Sequence, residues 1–254
     1  MTLVKALGLE EARLVALTGA GGKSSLMFAL AKAFAAGGER VLITTTTKMA
    51  KEQATGPWQT VQAADAQAVM AAADAAANVV LAFRDTDEAR GKIVGYPPDD
   101  IARLAASRRF TRILVEADGS ARRPLKAPAD HEPVIPADAD FVVMVAGAKG
   151  LGRPLSQDTV FRPELWAGRT GLALGSPVTA LSLARMAVDP DGLARGAPER
   201  AKRALFVNQT DDPVRLAAAL RTVEHLGVIG GRAPDRAVVG RLLPRIEILH
   251  CAHF

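Results

Sequence analysis

A chain of 254 residues with 49% apolar side chains is long enough to bury a substantial core in one large α/β domain. Its net charge of +5 suits acidic ligands such as nucleotides, but only 4% of residues are aromatic and the Lys and Arg are scattered, so no stacking surface for nucleic acid is present. No apolar run has the roughly 18 residues of a membrane helix. The start, Met1-Thr2-Leu3-Val4-Lys5, lacks the apolar core of a secretion signal, and a lone cysteine, Cys251, rules out an internal disulfide. The expectation is a cytoplasmic protein without a membrane or nucleic-acid partner.

Residues 13–18 read as a first strand. It feeds Gly19-Ala20-Gly21-Gly22-Lys23-Ser24-Ser25, and a helix follows from Lys23 to Ala36. Leu26, Met27, Leu30, Ala31 and Phe34 recur there at helical spacing, and Gly37-Gly38 stops it. Strand, glycine-rich turn and helix form the grammar of a phosphate-binding loop. The backbone from Gly19 through Ala20, Gly21 and Gly22 to Ser25 would cradle phosphates, because glycine leaves room for N–H groups to converge and a helix start attracts anions. Lys23 would reach the terminal phosphates and the Ser24 hydroxyl would ligate Mg²⁺. The loop is a short form, with Leu17 where a glycine usually stands six positions before the lysine, and its spacing is similar to the loop of Mur-type ligases. Thr18 occupies the place of the second lysine of the signature-lysine ATPases, so their dimer mechanism is not supported.

Arg40 to Thr45 is a second buried strand, continuing into Thr46-Thr47-Lys48-Met49. Ligands gather at the carboxyl ends of parallel strands, so the Thr46 hydroxyl and the Lys48 ammonium are candidate nucleotide contacts. Residues 63–77 are helical by propensity. Residues 78–83 read as a strand, 92–95 as a short one, and Pro97-Pro98-Asp99-Asp100 opens a helix to Ser107.

Arg112-Ile113-Leu114-Val115-Glu116-Ala117-Asp118-Gly119 is an apolar strand that ends in two carboxylates. Such an end holds Mg²⁺ or orients an attacking water, which makes Glu116 and Asp118 the catalytic and metal candidates beside Lys23 and Ser24. Both carboxylates can face one site if the strand breaks at Ala117. The following loop, residues 120–133, is stiffened by Pro124, Pro128 and Pro133 and is placed over the nucleotide. Arg122, Arg123 and Lys126 are its candidate phosphate contacts, and His131, between Asp130 and Glu132, is expected to favour its charged form at the site.

Phe141–Gly147 is another buried strand, with Lys149-Gly-Leu-Gly-Arg153 after it. Trp166 falls in a less regular stretch, and 177–187 read as a helix. Ala204–Asp211 is a strand followed by Asn208-Gln209-Thr210-Asp211, which resembles the Asn-Lys-x-Asp base-reading motif of GTPases with Gln209 in place of lysine. Asn208 and Asp211 are therefore candidate nucleotide contacts, and guanine is an alternative to adenine. A helix from Asp212-Pro213 to Leu226 and two short strands near 238 and 246 complete the chain. The tail His250-Cys251-Ala252-His253 reads as a plain terminus, not a metal site.

The ordered set of the Leu17–Ser25 loop, the Thr44–Met49 run, Glu116-Ala117-Asp118-Gly119-Ser120 and Leu125-Lys126-Ala127-Pro128-Ala129-Asp130-His131-Glu132-Pro133-Val134-Ile135-Pro136 resembles the YqeC family. That family is described as accessory to selenium-dependent molybdenum hydroxylases. The resemblance implies a part in maturing a molybdenum hydroxylase or its cofactor. The expected fold is a single three-layer α/β phosphate-loop domain, residues 1–254, with a mainly parallel sheet. The expected activity is Mg²⁺-dependent hydrolysis of ATP, or GTP. A small-molecule kinase or ligase, and a non-catalytic nucleotide-gated binding protein, stand as alternatives.

Overall fold

A computed structural model describes residues 1–254. In chain order the elements begin with α1 (Leu3–Leu7), β1 (Leu14–Gly19), α2 (Lys23–Ala36), β2 (Val41–Thr45) and β3 (Lys48–Ala50). After a 3₁₀ turn at Lys51–Ala54 come β4 (Gln59–Gln62), α3 (Ala66–Ala72), β5 (Val79–Phe83), β6 (Asp85–Asp87), β7 (Lys92–Val94) and α4 (Pro98–Ala106). The second half carries β8 (Arg112–Glu116), β9 (Leu125–Lys126), β10 (Phe141–Gly147), β11 (Val160–Phe161), α5 (Pro163–Thr170) and α6 (Ala180–Val188). It ends with β12 (Lys202–Asn208), α7 (Pro213–Leu226), β13 (Arg236–Arg241) and β14 (Glu247–His253).

Nine strands form one sheet in the order β14-β13-β12-β10-β1-β8-β2-β5-β4. All pairs are parallel except β13 with β14. Each residue of β1 is buried, as a strand covered on both faces requires. Its side chains alternate between two cores. Leu14 and Ala16 join the core under α3, α4, α6 and α7, whereas Val15 and Leu17 join the one under α1 and α2. This is the expected three-layer arrangement, and β1 lies at its centre, with four strands on either side.

The helix expected over 63–77 is cut to Ala66–Ala72. The Asp65 carboxylate caps its start by accepting from the Ala68 N–H at 2.9 Å, and the Ala63 N–H instead extends the strand layer by donating to Phe83 O. Trp166 is not in an irregular stretch. It is fully buried in α5, which has Pro163 in its first turn and a left-handed Gly171 at its end. Outside the main sheet, β3, β7 and β6 make a small antiparallel sheet beyond the end of β2, and β9 pairs with β11. No helix is long and apolar enough to cross a membrane.

Candidate functional site

The loop between β1 and α2 sits at the carboxyl ends of the central strands. The start of α2 has no side-chain cap, so the first-turn N–H groups have no partner within the helix. They face a cleft of about 700 Å³, whose lining includes Gly21, Gly22, Lys23, Ser24 and Ser25. Neighbouring backbone holds the loop in this shape. Ala20 N–H donates to Val145 O at 2.8 Å, and Gly21 accepts at its carbonyl from Asn208 Nδ2 at 2.8 Å. Gly21 has φ +87°, and a Cβ there would run into the backbone of Gly147 and Pro124. The glycine is thus required by its own protein neighbours.

β8 ends at Glu116, and Ala117 N–H donates to Leu17 O, which carries the parallel pairing of Leu17 with Glu116 one residue further. No break at Ala117 is needed: Glu116 and Asp118, two apart, share with Leu114 the face on which α2 lies. Glu116 Oε2 accepts from the Ser24 hydroxyl at 2.7 Å, and Asp118 Oδ1 lies 3.2 Å from Lys23 Nζ. Lys23 also donates to Gly19 O at 2.7 Å. Burial lowers the proton affinity of Lys23, but Asp118, Glu116 and Glu132 outweigh it and hold the ammonium above its ordinary range. Burial pushes Glu116 above the usual carboxylate range, against the opposing pull of Lys23 and Ser24.

Lys126, expected on the phosphates, lies outside the cleft lining. Its side chain is wholly buried, with Nζ 3.0 Å from Asp118 Oδ2 and 2.8 Å from Glu132 Oε1, and it donates to Gly119 O. Pairing of Leu125–Lys126 with Val160–Phe161 carries it inward. Arg162 pairs with Glu132 from the far side. Lys23, Lys126 and Arg162 thus balance Glu116, Asp118 and Glu132 beneath the cleft. Burial raises the Glu132 carboxyl, but the bonds and charges of Lys126 and Arg162 reverse this and leave it below its usual range.

The remaining candidates separate clearly. Arg122 and Arg123 line the cleft, where Arg122 pairs with Glu52. Lys48 also lines it and pairs with Asp87 at 2.9 Å. The Thr46 hydroxyl is turned away, donating to Val134 O at 2.7 Å. His131 is exposed and outside the cleft. Its flanking Glu132 faces Lys126, and Asp130 faces Arg195. Asn208 holds the loop backbone, and Asp211 pairs with Arg215 on the surface, outside the cleft. Gln53 escaped the sequence reading; its Oε1 lies 3.2 Å from the Ser24 hydroxyl. So did Arg162, which no local spacing connects with Glu132.

The fold and this loop define a phosphate-loop α/β protein. The YqeC protein family profile matches residues 15–164. The uncharacterized protein YqeC of Escherichia coli (strain K12) is 36% identical over 208 residues, covering 82% of this chain and 80% of the relative. The chain belongs to the YqeC family. Among solved structures, similarity reaches the signal recognition particle 54 kDa protein of Aeropyrum pernix K1 in complex with GDP, at TM-score 0.43 and 15% identity. FtsY from Mycoplasma mycoides follows at TM-score 0.40 and 13% identity. The matches cover 94% and 95% of this chain but only 44% and 65% of those two.

Proposed function

We propose that the protein binds a nucleoside triphosphate with Mg²⁺ on the Gly19–Ser25 loop and turns it over while serving the maturation of a molybdenum hydroxylase or its cofactor. The observation that carries the nucleotide reading is the uncapped start of α2 facing the cleft beside Lys23 and the Ser24–Glu116 pair. The maturation role is what the motif resemblance to the family implies. Ser24 and Glu116 offer the hard oxygen donors that Mg²⁺ takes alongside phosphate and water, so they would hold it, and the ion would neutralise phosphate charge. Asp118 Oδ2 accepts from the Gly19 N–H and pairs with Lys126, and Oδ1 lies 3.2 Å from Lys23, which suits Asp118 to position the lysine more than to ligate a metal. Arriving phosphate competes with Asp118 for Lys23, and the N–H groups of the α2 start take the remaining anionic oxygens. A kinase or ligase reading is favoured by one observation: eight basic side chains line the cleft against three acidic ones, more than one nucleotide requires.

Calorimetry with Mg-ATP and Mg-GTP tests the proposal. Binding of one nucleotide, weakened roughly ten- to hundredfold in Lys23→Ala, is expected from the loss of a charged hydrogen bond. Absence of binding by either nucleotide overturns it. A hydrolysis assay on the preferred nucleotide, with and without added metabolites, then separates hydrolase from kinase.

A further inference from the structure

The cleft has two halves, set by strand order. On one side of the loop lie the ends of β10 and β12, with Lys149 and Gln209. On the other lie the ends of β8 and β2, followed by the small β3-β7-β6 sheet. That sheet and the 3₁₀ turn Glu88–Arg90 between β6 and β7 bring Lys48, Arg90 and Lys92 to the cleft wall. Two of these cations share one carboxylate, Asp87, which lies 2.9 Å from Lys48 and 3.2 Å from Arg90, outside the lining. Lys92 has no ion-pair partner. The cluster therefore carries surplus positive charge inside a concave space, where fields are focused and anions concentrate.

This half adjoins the terminal-phosphate end of the loop. Gln53, on the turn that leaves β3, sits 3.2 Å from the Ser24 hydroxyl, the group next to Glu116. A molecule resting on the small sheet would lie beside the end of the triphosphate where transfer chemistry takes place.

We propose that the small-sheet half of the cleft is a binding site for a second substrate, a small phosphorylated molecule, held by Arg90 and Lys92 with Lys48 beside them. This rests on the nucleotide reading above and deepens it by naming the class of second ligand that the cleft would hold beside the terminal phosphate. Doubly charged phosphate and guanidinium or ammonium groups form the strong charge-assisted contacts that such a site supplies.

The test is calorimetric titration of pyrophosphate into protein saturated with Mg²⁺ and a non-hydrolysable analogue of the preferred nucleotide. One equivalent is expected to bind, about tenfold or more weakly in Arg90→Ala/Lys92→Ala, as loss of charged hydrogen bonds dictates. The analogue itself should bind that variant as it binds the wild type. Failure of pyrophosphate to bind the loaded protein overturns the proposal, as does equal binding by the variant. Parallel loss of nucleotide and pyrophosphate also overturns it, assigning both cations to the nucleotide. If the wild type binds no nucleotide, the loop reading falls separately, and pyrophosphate is titrated alone. Weakening in Arg90→Ala/Lys92→Ala but not in Lys23→Ala then upholds the site, and the reverse removes it.

Discussion

Lys23 and Asp118 form an ion pair 3.2 Å apart, with side chains only 3% and 1% exposed. The lysine of the phosphate loop is therefore held by a protein carboxylate, and any phosphate must compete for it. Asp118 is itself anchored by Lys126, so the strength of that competition is set by residues beyond the loop.

Replacing Lys126 with methionine leaves Asp118 paired with Lys23 and Glu132 with Arg162, but the buried cluster then holds one negative charge in excess. A buried charge left uncompensated in this way costs about 3 kcal/mol or more. Urea unfolding of Lys126→Met should show that loss, with nucleotide affinity falling less than in Lys23→Ala. A stable variant with strongly weakened nucleotide binding would instead put Lys126 on the phosphates.

Glu132 supplies an acid dependence. Its folded carboxyl lies below the ordinary value of 4.5, so its contribution is fully present above that value and is lost as pH falls through the folded value. The urea midpoint of the wild type should drop on going from neutral pH to about pH 3. Glu132→Gln should start lower at neutral pH and show a shallower drop. Parallel curves for the two proteins would contradict the assignment.

Ser24→Ala removes the hydroxyl that Glu116 accepts from at 2.7 Å. With Mg²⁺ present, nucleotide affinity should fall by roughly tenfold, the worth of one charged contact. In excess EDTA the variant and the wild type should bind alike. A deficit of equal size in both conditions would mean that Ser24 acts on phosphate directly.

Asn208→Ala frees the Gly21 carbonyl and should cost about 1–2 kcal/mol of stability. It should weaken ATP and GTP together, because the residue holds loop backbone. Asp211→Ala, on a surface pair with Arg215, should change stability by no more than about 0.5 kcal/mol and leave the ATP-to-GTP ratio unchanged. A shift of that ratio would restore Asp211 as a base reader.

Much of the site could be read from local order. The strand, glycine turn and α2 are adjacent in the chain, so their geometry follows from short-range rules. The acidic end of β8 was visible too, but its carboxylates need no break at Ala117 to align, because residues two apart in a strand share a face. The burial of Lys126 is not legible, because a lysine between prolines looks solvated until β9 pairs with β11 and turns it inward. The bond of the Thr46 hydroxyl is not legible either, because its acceptor, Val134 O, lies 88 residues away. The cations on the small sheet form no motif: Lys48 is legible as a strand-end candidate, but only the β3–β7 pairing sets it beside Arg90 and Lys92.

The sequence by itself determined the phosphate loop, the alternation of strands and helices, and the membership of its motifs in one family, because each depends on residues within a few positions of one another. Tertiary structure alone decided which charges meet. Parallel pairing of β1 with β8 sets Lys23 against Asp118, and the return of the chain through β9 adds Lys126, Glu132 and Arg162. A buried ion is tolerated only with a partner, and strand order, which no local pattern encodes, chose the partners here.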